Sequence, residues 1–263
     1  MIAGYEYLVA ETRDSVQWLR INRPQSRNAL SRATLSELAR ACREAALDPQ
    51  LKAVAITGEG RDAFAAGGDL KELASVRTAD QASALFDMAS GALDSVRNCP
   101  LPVVASLNGL ALGGGAELAL ACDFRVAARH AAIGYIQARL GISSGFGGGV
   151  DLMRTLGPAR ALRHALTGET LDAAAARVLG LVDDVALEDE TLEQCTARFL
   201  APFLTQKPLV IRAWKAMAIA ERRGLPATER RSDERDWFVR TWTHNDHWAA
   251  VDALMQKLRE KAT

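Results

Sequence analysis

No excess of charge of either sign marks this chain: 32 lysines and arginines balance 32 aspartates and glutamates over 263 residues. Nucleic acids and anionic membranes select a basic surface, so the balance argues against both as partners and points to a small-molecule ligand. Cysteine is scarce as well. Cys42, Cys99, Cys122 and Cys195 lie far apart with no CxxC pair, which suggests neither a disulfide framework nor a zinc site, and fits a reducing, cytoplasmic compartment. Long apolar runs are missing too. No segment has the roughly 20 apolar residues that a membrane helix needs, and Glu6, Glu11 and Asp14 interrupt the start where a signal peptide would be apolar. What the chain does have is 49% hydrophobic residues, enough to bury a large core in one domain or in a domain with an appendage.

Strand and helix patterns alternate along most of its length. YEYLVAET and SVQWLRINR read as a hairpin, alternating and rich in Val, Ile and aromatics. From Ser31, Leu35, Leu38, Cys42, Ala45 and Ala46 form a helical stripe that Asp48-Pro49 stops. AVAIT (53–57), PVVASLNG (102–109) and FRVAA (124–128) are short strands, and GEGRDAFAAGG is a loop. Asp69 and Glu72 have the spacing of a capping box at the start of LKELASV. AAIGYIQ (131–137) continues as strand or extended chain, TLDAAAARVLG (170–180) is a helix with a Thr start and a Gly stop, and LVDDVA is a short strand. From about Glu190 the pattern is helical. This order predicts an α/β core, residues 1–195, followed by a helical oligomerisation region, residues 196–263.

The stretch LNGLALGGGAELALACDFR (107–125) carries the chemistry. A strand that ends in three glycines and turns into a helix leaves its first N–H groups unpaired, with no Cβ to block approach and the positive end of the helix dipole behind them. FAAGGD (64–69) repeats the device. Two such N–H donors converging on one oxygen form an oxyanion hole, where one donor is typically worth about 3–4 kcal/mol of barrier. Glu117 sits three residues past Gly114, so one helical turn returns its side chain toward the same helix end. Leu118, Ala119, Leu120 and Ala121 mark that helix as buried, which argues against Glu117 being merely a solvated first-turn acid.

RPQSRNALS (23–31), AFAAGGDLKEL (63–73), NGLALGGGAELALACDFRVA (108–127) and TGETLDAAAARVLGLVDDV (167–185) resemble, in order and register, the crotonase family, also called enoyl-CoA hydratase/isomerase. The resemblance implies a spiral of repeated ββα units with a C-terminal helical trimerisation region. It also implies an acyl-CoA thioester as substrate, with coenzyme A as part of the substrate and no separate cofactor or metal. Gly68 and Gly114 fall at the positions of the two oxyanion-hole amides. Arg27, Ala29, Ala65, Asp69 and Leu70 fall where the family lines its coenzyme A channel, although Asp69 also reads as a helix cap. Residues 76–92 fall where the wall of the acyl pocket lies.

Glu117 matches the first of two glutamates that hydratases of the family use to add water. At the second position stands Gln137, with Ile136 and Ser144 in place of two prolines. An amide does not titrate, so it can orient a water but cannot exchange a proton. Three arrangements stay open: Glu117 performs both proton transfers, Tyr135 or Ser143 assists, or the reaction differs. CDFRVAARHAAIGYIQARLGISSGFGGG resembles the methylmalonyl- and ethylmalonyl-CoA decarboxylase branch, whose chemistry needs an oxyanion hole and only one acid. Hydration or dehydration of an enoyl-CoA is the first expectation and decarboxylation of a 2-carboxyacyl-CoA the alternative. A non-catalytic RNA-binding or scaffold homologue is a remote third.

Other motifs read more plainly. GFGGG (145–149) lacks the GxGxxG spacing of a dinucleotide site. In residues 221–240 acids interleave with the arginines, as on a solvated helical face, and His244 and His247 lack a third metal ligand. Trp214, Trp237, Phe238, Trp242 and Trp248 are more large aromatics than a helical appendage buries by itself, which predicts a homotrimer or a dimer of trimers.

Overall fold

A computed structural model describes residues 4–262. The predicted hairpin forms as β1 (Leu8–Arg13) and β2 (Val16–Ile21), paired antiparallel. It opens a six-stranded sheet of order β1-β2-β3-β5-β7-β10, in which β3 (Ala53–Gly58), β5 (Val103–Leu107), β7 (Phe124–Ala127) and β10 (Asp184–Val185) run parallel to β2. A second sheet, of order β4-β6-β8-β9, is built from three-residue strands: β4 (Ala63–Ala65), β6 (Leu110–Leu112), β8 (Ala132–Gly134) and β9 (Thr170–Asp172). The chain passes from a strand of the large sheet to one of the small sheet and then to a helix. β3-β4 leads into α2 (Leu70–Leu73) and α3 (Ala79–Arg97), β5-β6 into α4 (Gly114–Ala121), and β7-β8 into α5 (Gly148–Leu156) and α6 (Pro158–Thr167). This is the ββα repeat expected from the sequence.

The large sheet is covered on both faces, as buried parallel strands require. In β3, Val54 and Ile56 join Leu19, Leu38 and Leu93 in the main core, while Ala53 and Ala55 face a second cluster. That second cluster is closed by α8 (Leu192–Leu204), whose Cys195, Phe199, Leu200 and Phe203 pack on β5 and β7. α1 (Arg32–Leu47) follows the predicted stripe, with Ser31 Oγ accepting from Thr34 N–H at 3.1 Å. α9 (Pro208–Arg222) is fastened to the core by Asp123, which pairs with Lys215 and with Arg222 (3.3 Å). α10 (Ala227–Trp242) and α11 (Asn245–Ala262) continue from it.

Several local expectations are corrected. GEGRDAFAAGG contains β4, and residues 76–92 fall largely within α3, which a reciprocal capping box between Thr78 and Gln81 opens. The helix expected over 170–180 begins later. Residues 170–172 pair with β8, and Asp172 caps α7 (Ala173–Leu179) by accepting from Ala175 N–H at 2.8 Å. The capping box at Asp69 is only half formed: Asp69 accepts from Lys71 N–H, but Glu72 reaches across to Arg32 N–H, and α2 ends after four residues. Arg222 lies on no solvated face, since it turns inward to Asp123 and the Ala121 carbonyl, and Gly224, at φ +66°, separates α9 from α10.

Candidate active site

α4 begins at the glycines because the chain must reverse there: Gly113 holds φ +52°, ψ −119°, which disfavours any residue with a β-carbon, and its C=O accepts from Glu117 N–H. All eight residues of α4 are buried, and Glu117 is 1% exposed. Burial of a carboxyl demands donors. Five are supplied. Gln137 Nε2 (2.7 Å) and Gly145 N–H (3.1 Å) donate to Oε1, while Ser144 Oγ (2.7 Å), Phe146 N–H (2.9 Å) and Gly148 N–H (2.7 Å) donate to Oε2. The GFGGG stretch is thus an anion-binding nest whose anion is internal. Gly148 packs so closely on Glu117 that a β-carbon there would lie 2.5 Å from Glu117 Cβ.

Gly68 and Gly114 are brought together. The N–H groups of both donate to nothing among the described residues, and β-carbons at the two positions would each approach Phe146 Cζ to 3.2 Å. Two unpaired amides beside a buried carboxylate have the composition of a site that stabilises an oxyanion and moves a proton. Beside them Gln137 lines a cavity of about 450 Å³, whose walls include Phe86, Ile142, Val150, Met153 and Leu166. Gln137 is 7% exposed, and its Oε1 has no hydrogen-bond partner.

Residues 11–261 match the family described as enoyl-CoA hydratase/isomerase. The chain belongs to that family. It is 35% identical to a probable enoyl-CoA hydratase of Mycobacterium leprae over 96% of each chain. It is 33% identical to the crotonyl-CoA hydratase of Syntrophomonas wolfei, over 97% of this chain and 96% of that one. Among solved structures, an enoyl-CoA hydratase from Bacillus anthracis superposes with a TM-score of 0.88 at 30% identity, covering 96% of this chain and 97% of that one.

The residues that the family resemblance places on the coenzyme A channel lie on two loops joined edge to edge. Ala66 N–H donates to the Arg27 carbonyl (3.1 Å), Leu30 N–H to the Gly67 carbonyl (2.8 Å) and Asp69 N–H to the Leu30 carbonyl (3.1 Å). Arg27 and Leu70 are exposed, Ala29 is half-buried, and Ala65 and Asp69 are buried. Arg23, which the sequence reading did not single out, clamps this edge by donating to the Ala29 carbonyl (2.6 Å) and to Asp69 Oδ2 (2.8 Å). Its guanidinium holds the Asp69 carboxyl below the usual aspartate range.

The expected helpers are placed differently. Ser143 is exposed, and Ser144 is the serine that reaches Glu117. Tyr135 is buried and donates to the Gly148 carbonyl (3.1 Å). Burial, and next to it the charge of Glu117, push the phenol well above its ordinary range, so it is a poor proton donor near neutrality. His247 lies between the rings of Trp242 (4.5 Å) and Trp248 (4.9 Å). Ser144 and Arg23 act across 27 and 46 residues of sequence, a contact that only the folded chain makes.

Proposed function

We propose that this protein adds water reversibly across the double bond of a 2-enoyl-CoA thioester. The observation that carries the reading is the buried, donor-filled Glu117 carboxylate next to two unpaired glycine amides. Attack of water oxygen at Cβ pushes the π electrons onto the thioester oxygen, where the amides of Gly68 and Gly114 hold the enolate. Glu117 takes the water proton and delivers it to Cα as the enolate collapses, so one titrating acid serves both transfers. Gly145 N–H makes the longest of the five contacts to Glu117, 3.1 Å. A water inserted there accepts from the amide and donates to Oε1. Gln137 holds the carboxylate and offers its own unpartnered Oε1 as an acceptor for the second water hydrogen. The apolar cavity lined by Phe86, Ile142 and Met153 suits a hydrocarbon acyl chain. Arg27, Ala29, Ala65, Asp69 and Leu70 border the route of coenzyme A, which is carried by the substrate and is not a cofactor.

We also propose that the protein works as a homotrimer or a dimer of trimers in the cytoplasm, in fatty acid metabolism. Exposure of 68% at Trp214, 57% at Phe238 and 47% at Trp242 supports the oligomer. No helix among the described residues is long and apolar enough to cross a membrane.

Incubation with crotonyl-CoA in heavy-oxygen water, followed by mass analysis, is expected to give 3-hydroxybutyryl-CoA with the label at C3. Unchanged thioester after prolonged incubation, from protein whose thermal unfolding is raised by acyl-CoA, would contradict the reading.

A further inference from the structure

We propose that Phe146 is a positioning residue that sets the spacing of the oxyanion-hole amides relative to Glu117; the inference rests on the hydration reading above. Phe146 carries the one side chain in the stretch 145–149, where every other residue is glycine. Such a stretch has little intrinsic preference for a single conformation. Beside the amides fastened to Glu117 and Ser144, its side-chain anchoring falls to the ring, which is 5% exposed. That ring packs on the Cα side of both donor glycines. A β-carbon on Gly114 would come within 2.5 Å of Phe146 Cε2, and one on Gly68 within 3.2 Å of Cζ. Leu73 packs there as well, its Cδ1 lying 2.8 Å from where such a β-carbon on Gly68 would be. Gly114 opens α4, whereas Gly68 lies in the loop between β4 and α2, and the one ring reaches both. The same residue's N–H donates to Glu117 Oε2 at 2.9 Å. One residue therefore couples the carboxylate to the amides through a rigid plane. Misplacement of reacting groups by about 1 Å can cost about 10²-fold in rate, so the packing of this ring bears directly on turnover.

The test compares wild type with Phe146→Leu and Phe146→Ala in crotonyl-CoA hydration and in binding of 4-(dimethylamino)cinnamoyl-CoA. The absorption of that conjugated thioester moves to longer wavelength when its carbonyl is polarised. In Phe146→Ala, kcat is expected to fall by about 10-fold or more with KM changed by less than about threefold, and the red shift of the bound probe to shrink. Phe146→Leu, which refills part of the space, should lie between wild type and Phe146→Ala on both readouts. A full red shift and wild-type kcat in folded Phe146→Ala, or in Phe146→Leu if the alanine variant does not fold, would overturn the proposal and leave the hydration reading standing. A wild-type enzyme that binds the probe with no red shift would overturn both.

Discussion

Glu117 is the residue on which site and stability meet. Its carboxylate satisfies three backbone N–H groups, those of buried Phe146 and Gly148 and of half-buried Gly145, so Glu117→Gln is more than a charge deletion. With the amide NH2 at the Oε1 position, Gln137 can turn to present its carbonyl, but Gly145 N–H is left facing a donor. An orphaned donor costs about 1–3 kcal/mol when fully buried, which is the upper bound for the half-buried Gly145 N–H. Glu117→Gln is therefore expected to lose stability in urea unfolding, by up to about 3 kcal/mol, alongside a fall in hydration of about 10²-fold or more. A variant that loses activity at unchanged stability would show that the five donors are not made in solution. Asp69 gives a pH-dependent counterpart. Its carboxyl is depressed by Arg23, so the stabilisation is complete above the ordinary aspartate value of about 4 and is lost as pH falls through the lower value of the folded protein. Arg23→Gln is expected to move the acid-unfolding midpoint, followed by circular dichroism, to higher pH; an unmoved midpoint would rule the clamp out. The juxtaposition of Glu117 and Gly114 was legible in the sequence because helix geometry alone brings the acid back to that glycine, whereas Gly68, on a separate loop, was added only by the family resemblance. Arg23 and Ser144 were not legible, since their partners are set by how loops distant in sequence come to lie together.

At the scale of elements, the fastening of α5 decides whether the Gly148 amide stays on Glu117. α5 is tied to α3 by a buried ion pair, Arg97 to Asp151 at 2.8 Å, with Asp94 as a second partner for Arg97. Removing one member of a buried pair strands the other charge and typically costs about 3–5 kcal/mol. Arg97→Leu is expected to destabilise the protein by that amount in urea, and a change under about 1 kcal/mol would show that water already reaches the pair. Elements long enough to display a period were readable: the hairpin, α1 and the strands of the large sheet other than two-residue β10. β4 and β6 were not, because three residues are too few to show alternation, and β8 was legible only as strand or extended chain. α3 was hidden for a different reason. Its buried residues, Ala89, Ala92, Leu93, Val96 and Arg97, lie in its second half, so the first half presents no apolar stripe.

For the whole molecule, the C-terminal helices leave Trp214, Phe238, Trp242 and Trp248 exposed, and subunit association is expected to cover them. Light scattering at micromolar concentration should give three or six copies, and Trp242→Glu combined with Trp248→Glu should shift the mass toward one. A monomeric wild type would remove the oligomer from the account. The broad architecture, an α/β spiral with a helical tail, was legible from element order and motif resemblance, while the number of copies rests on surfaces that a sequence only hints at. The central claim is that one carboxylate and two backbone amides hydrate an enoyl thioester. Its most direct test is kcat/KM for crotonyl-CoA hydration and for ethylmalonyl-CoA decarboxylation, measured side by side in wild type and Glu117→Ala. Hydration by wild type that falls about 10²-fold or more in Glu117→Ala, with no carbon dioxide released from ethylmalonyl-CoA, is the result the account requires. Carbon dioxide release without hydration, or hydration that survives the loss of Glu117 in a folded variant, would contradict it.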